Sequence, residues 1–296
     1  MNIFRLHIKP KDVNPKDAFN YCLQNGVIGM GWQVNSINVS SWDEYYKKAT
    51  LDYGENGFNN VKYLKNNLKN NDIVWCRIES DYYLALVTSD WKYCNTKEGC
   101  AVDIVNIVEA DIKKVPSIDL VPGKVIASFR PNRTIQAIAN SLIKEYSKYL
   151  WNKLSSINFF EISIPKNNQN IFSMLDSEDA EDILAIYLQL NGWIVIPNSR
   201  KADTMSYEFY LINKISKEIA FTQVKTGTTP LNPLDNEWKD KTVFLFQSEN
   251  IYTNLSNSNK IVCLNPKTIE KFIDENNEFF PKNIIHKIDL IRNFSN

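Results

Sequence analysis

Phe221-Thr222-Gln223-Val224-Lys225-Thr226-Gly227 follows the apolar run Ile219-Ala220 and ends on a strand-breaking glycine. Alternate residues of a strand share a face, so Gln223 and Lys225 project together. If the preceding segment, 207–212, pairs with it as a hairpin, Glu208 stands beside them. A carboxylate, a coordinating amide oxygen and an ammonium then converge, and those groups can hold a divalent metal against a phosphodiester and offset the charge that develops on hydrolysis. A lysine at the end of an apolar strand also needs an acidic or phosphate partner.

Working outward, the segment 177–190 reads as a helix with the stripe Ala180, Ile183, Leu184 and Tyr187 on its core face, and Gly192 stops it. Glu181 borders that stripe, whereas Glu178 and Asp179 fall in the first turn, where the helix dipole favours acids. Strands are predicted at 193–196, 207–212, 219–224, 242–247 and 260–264, and a helix at 266–275.

The first half reads as strands at 2–8, 73–78, 83–88 and 103–109 with helices at 15–24 and 41–48. Ser41 is placed to cap the second helix, with Glu44 at the reciprocal position. A helical segment at 134–154 and the polar stretch 165–170 join the halves. Gly29-Met30-Gly31-Trp32 follows the first helix, and aromatic residues are frequent from Trp42 to Trp91. Two or three of them lining one pocket would stack on a base extruded from a duplex. Arg130 and Arg133, in Ser128-Phe129-Arg130-Pro131-Asn132-Arg133-Thr134, are expected at a strand-to-helix junction where the helix amino terminus helps them meet phosphates.

Composition narrows the classes. The 296 residues suffice for two domains; hydrophobic residues make up 44% and charged residues 23%, as in soluble globular chains. The formal net charge is zero, which excludes broad charge-driven wrapping of DNA and leaves room for a local basic groove. No apolar run reaches membrane-spanning length, and the amino terminus alternates as a strand does, so a cytoplasmic protein is expected. Five scattered cysteines and two distant histidines, His7 and His286, lack the close spacing of a structural zinc site.

The order Glu181, Gly192-Trp193, Glu208, then Gln223-Val224-Lys225 resembles the PD-(D/E)xK nuclease superfamily in its Mrr-type restriction endonuclease form, with Gln in place of the ExK acid. The likeness covers residues 171–280. It implies a restriction-endonuclease-like αβββαβ core, metal ligation by Glu208 and Gln223, catalysis by Lys225, Glu181 as an accessory acid, and Mg2+ or Mn2+ as cofactor. The Pro-Asp dipeptide of that superfamily is absent, and Asp203 is the other candidate for the acid.

The Gly-x-Gly-Trp element and Asn71-Asp72-Ile73-Val74-Trp75 resemble the PUA-like group that includes EVE and YTH domains, over residues 1–130. This implies a small β-barrel that reads a modified base, with Trp32 leading the cage and Trp75 and Trp91 as further members. An α+β chain is therefore expected, with a base-reading domain at 1–135, a helical linker at 136–170 and a nuclease domain at 171–296. Its partner would be double-stranded DNA carrying a modified base, cut by a dimer. A non-cleaving nucleic-acid binder and an RNA-directed nuclease are the rival readings.

Overall fold

The computed structural model describes residues 1–35, 39–163, 170–175, 177–196, 207–227, 229–235, 238–254 and 259–294, which divide into two units, 1–121 with 125–162 and 122–124 with 163–296. Each unit is a sheet with helices, and the chain is α+β.

In the first unit, β1 (Ile3–Leu6) and β3 (Ile73–Ile78) pair in parallel, and all other neighbours are antiparallel. The strand order is β2-β6-β4-β3-β1-β7, where β2 is Val27–Met30, β4 Asp81–Val87, β6 Asn106–Lys114 and β7 Ile135–Ala137; β5 (Lys92–Tyr93) adds to β6. The long strand β6 pairs with β2 through residues 106–109 and with β4 through 110–114, so the sheet turns along its length. The expected barrel is a curled half-barrel whose strand path stays open at β2 and β7.

Helices start where short polar side chains replace missing intrahelical partners. Asn14 caps α1 (Pro15–Asn25), and Ser41 Oγ accepts from Glu44 N at the start of α2 (Trp42–Tyr53). The Glu44 carboxylate returns to Ser40 N and Oγ, one residue earlier than a capping box requires. Leu64 and Val61 of α3 (Asn59–Asn67) join Phe4, Phe19, Tyr45 and Val74 in the core. α4 is Lys97–Ala101 and α5 Gly123–Ser128.

The helix expected to link the halves is α6 (Ser141–Ser155). It belongs to the first unit, with Leu142, Ile143, Tyr146, Leu150 and Trp151 buried. Trp75 Nε1 donates to Ser147 Oγ at 3.0 Å, and Tyr146 OH to Leu120 O at 2.9 Å.

In the second unit a 3-10 turn at Ile171–Met174 leads to α7 (Ser177–Leu190), followed by β8 (Trp193–Ile196), β9 (Phe209–Asn213) and β10 (Ile219–Lys225) as an antiparallel meander. β11 (Thr242–Gln247) and β12 (Ile261–Leu264) continue the sheet in parallel, and α8 (Pro266–Glu275) and α9 (Lys282–Phe294) close the chain. The helix and the five strands come in the expected order. In the crossover from β10 to β11, no α-helix occurs among the described residues; Trp238 and Leu231 pack there on Val243 and Leu245.

Side-chain alternation gives this sheet two apolar faces. Leu188 of α7 meets Trp193, Phe209, Leu211 and Ala220 on one, while Phe221, Val243, Leu245 and Ile261 share the other with Leu231 and Trp238. Between α7 and α9, Lys287 Nζ donates to the Asp179 carboxylate, and the two side chains are 0% and 2% exposed.

Candidate functional site

Two places carry chemistry, one in each unit. In the second, the β9–β10 ladder ends with Thr222 opposite Phe209, and Glu208, expected on the strand, is the bend residue just before β9, one step beyond that last pair and beside Gln223. Glu208 N donates to Thr222 O at 2.7 Å, and Gln223 Nε2 donates to Glu208 Oε1 at 2.9 Å. The hairpin that brings these two side chains together is the one the alternation predicts. Lys225 lies two residues further on the same face, half-buried, at the end of β10.

Opposite Lys225 stands Gln247, fully buried on β11. Its Nε2 donates to Gly227 O at 2.7 Å and Thr229 O at 3.0 Å, and its Oε1 accepts from Glu249 N and Ile251 N. Four bonds from one side chain pin the loops beyond both strand ends, and so fix the backbone that carries Lys225.

Glu181 is half-buried on α7, the helix that covers the opposite face of the sheet from Gln223 and Lys225. The acid of α7 that sequence reasoning assigned to the helix dipole, Asp179, is instead the buried partner of Lys287. Asp203 lies outside the described residues.

The donor set at the pair is small. Gln223 turns its amide nitrogen to Glu208, which leaves the amide oxygen and the second carboxylate oxygen to meet a cation. Mg2+ needs little more from protein, because it keeps several waters and takes phosphate oxygens as ligands. Among the described residues, no three His, Cys, Asp or Glu side chains stand together as a metal-holding group.

The first unit holds a cleft of about 810 Å³ lined by Gly29, Met30, Gly31 and Trp32, with His7, Lys9, Lys11, Tyr53 and Asp103 around them. The Gly-x-Gly-Trp element thus faces a cavity. Trp32 has φ 62°, an unusual conformation for a bulky side chain. Several bonds hold it: Trp32 Nε1 donates to Gly57 O at 2.8 Å, and Tyr45 OH donates to Trp32 O at 2.9 Å. Behind them the buried Asn106 donates through Nδ2 to Gly31 O and accepts from Trp91 Nε1 at 3.2 Å.

Both glycines are required by close approach. A Cβ on Gly29 would sit 2.4 Å from Asn106 O across the β2–β6 pair, and a Cβ on Gly31 would sit 2.1 Å from Asp103 Oδ2. The Asp103 carboxylate therefore lies against bare backbone at the cleft wall. Burial, and then the charge of Asp12, raise its pKa.

Of the three tryptophans expected to cage a base, the structure places one in the cleft. Trp75 is a core residue, 0% exposed, with its indole N–H on Ser147, so it has no face to offer. Trp91 packs edge-on against Trp42, 5.0 Å between ring centroids, and its N–H is spent on Asn106. It supports the cleft from behind.

The arginine segment is also corrected. Arg130 and Arg133 are exposed on a helix-to-strand loop, after α5 and before β7, so no helix amino terminus aids them. The loop is held by Arg5, a fully buried guanidinium on β1 that donates to the carbonyls of Pro131, Arg133 and Thr134 and stacks 5.7 Å from the Phe129 ring. Burial and the Arg133 charge lower its pKa. Thr134 O also accepts from His7 N at 2.7 Å, so this loop reaches the cleft rim.

Residues 6–103 match a family model described as a domain of unknown function, DUF8426. That span contains the Gly29–Trp32 element and ends on Asp103, the residue that Gly31 accommodates. Neither the curated proteins nor the solved structures yield a match to this chain.

Asp103, Asn106, Arg5 and Gln247 were missed by sequence reasoning. The one signal that could have found Asp103 is Gly31 itself, since a glycine at the end of a strand implies that something approaches its backbone.

Proposed function

We propose that this chain is a modification-dependent DNA endonuclease, in which the first unit holds an extruded modified base against Trp32 and the second hydrolyses a phosphodiester of the same DNA. The observation that carries this reading is the cross-strand bond between Gln223 and Glu208, with Lys225 on the same face at the end of the strand. Glu208 and the Gln223 amide oxygen are the groups that would hold Mg2+ or Mn2+. When bound, that ion supplies a Lewis acid that lowers the pKa of a water and neutralises a phosphate oxygen.

Lys225 places an ammonium where negative charge accumulates, and Gln247 keeps it there by bracing the adjoining loops. Trp32 supplies a stacking face whose orientation is fixed before the ligand arrives. Arg130 and Arg133 are exposed cations for the phosphate backbone, where contacts position the protein without reading sequence. A single site of this kind cuts one strand, so double-strand cleavage calls for two copies on the DNA. Five free cysteines agree with a reducing, cytoplasmic setting.

The test compares wild type and Lys225→Ala on supercoiled plasmid with Mg2+, modified and unmodified. Cleavage of modified plasmid by wild type, its loss in the variant by about 100-fold or more, and unchanged binding are expected. A wild type that binds but never cuts, under any modification, supports the second reading, a non-cleaving binder. What favours that reading is the lone carboxylate at the pair among the described residues. Preference for single-stranded RNA over DNA in the same assay would redirect the substrate and leave the chemistry intact.

A further inference from the structure

The cleft wall beside Gly31 holds a half-buried carboxylate, that of Asp103. Asp103 is half-buried at φ 53°, and its backbone N–H is spent on Cys100 O. Among the described residues no hydrogen bond or ion pair to its carboxylate is formed. Gly31 is the only residue type that leaves room for it, because any Cβ would fall within 2.5 Å of all three carboxylate atoms. The buried Asn106 and Tyr45 lock the Gly31 and Trp32 carbonyls from behind, so the backbone against which the carboxylate lies is held in place.

A partly desolvated carboxylate with no protein donor gains when a ligand brings one. Its raised pKa, caused by burial and then Asp12, has the same origin. The carboxylate accepts and does not donate when ionised. Among nucleobases, cytosine, adenine and guanine carry an exocyclic amino group on the edge exposed by extrusion, whereas thymine and uracil present one N–H flanked by two carbonyl oxygens that an anion repels.

We infer that Asp103 is a specificity-determining residue of the cleft, accepting a hydrogen bond from the amino group of a bound base and rejecting thymine- and uracil-type bases. This rests on the base-reading role proposed for the first unit. Trp32 supplies stacking that every base enjoys; Asp103 supplies the choice. Gly31 serves that choice by leaving the carboxylate in place.

The experiment uses the full chain and short DNA duplexes with one base opposite an abasic site, which removes the pairing cost of extrusion. Cytosine, 5-methylcytosine, adenine, N6-methyladenine, guanine, thymine and uracil are compared by fluorescence anisotropy. Wild type is expected to bind the best amino-bearing base about tenfold or more tighter than thymine and uracil. Asp103→Asn is expected to bring that ratio near one, and Gly31→Ala to reduce it with Asp103 intact, so the outcome survives failure of either variant to fold. Trp32→Ala should weaken all bases alike. Equal binding of thymine, or a ratio retained in both variants while Trp32→Ala still weakens binding, overturns the assignment and leaves the base-reading role standing. Affinity indifferent both to the extruded base and to Trp32 removes that role as well.

Discussion

The Gln223 amide donates to Glu208 where a second carboxylate would repel it. Gln223→Glu should therefore destabilise the protein without a divalent ion, by roughly 1–3 kcal/mol for the lost donor and the like charge. Millimolar Mg2+ should restore it. Thermal unfolding with and without Mg2+ checks this, and a variant indifferent to the ion would argue against a cation at the pair. His7 offers a second handle. Burial, then Lys9, Arg5 and Arg77, push its pKa down to about 4 from 6.5. Between those values the unfolded chain binds the proton and the folded one does not, so His7 lowers stability as pH falls from 6.5 to 4. Urea midpoints measured across that window should fall less steeply in His7→Gln than in wild type.

At the level of elements, α7 shows how far pattern reading reaches. Its length, its apolar stripe and its stop at Gly192 follow from periodicity and a glycine with φ 89°. The role of its acids does not, because the partner of Asp179 is Lys287, 108 residues away on α9. Removing one member takes from the other its close buried ion-pair partner: Lys287→Met should cost about 3–5 kcal/mol, and Asp179→Leu added to it should recover most of that loss. Chemical denaturation of the two variants decides. The hairpin of β9 and β10 was legible for the opposite reason. Its pairing is local, and the residue that leads into β9, Glu208, meets Gln223 beside the last pair of the ladder. Which tryptophan lines the cleft was not legible, since an aromatic residue reads the same whether it lines a cavity, as Trp32 does, or fills a core, as Trp75 does.

Across the whole molecule, the division falls after residue 162, and α6 packs with the first sheet. A fragment of residues 1–162 should thus keep base binding within about threefold of the full chain and show no cleavage. Binding titrations of the fragment and the full chain on the same duplex test it; loss of binding would mean that the first unit needs the second to hold its cleft. Among the described residues no helix is long and apolar enough to cross a membrane.

The sequence by itself determined the two-part α+β organisation, most strands and helices, and the Glu208–Gln223–Lys225 face, because each depends on periodicity or on neighbouring strands. Only the tertiary structure decided that Trp32 faces a cleft while Trp75 is core, that Arg5 grips the arginine loop, and that Asp103 waits against Gly31. Those facts depend on contacts between residues tens of positions apart, which no local pattern of side chains encodes.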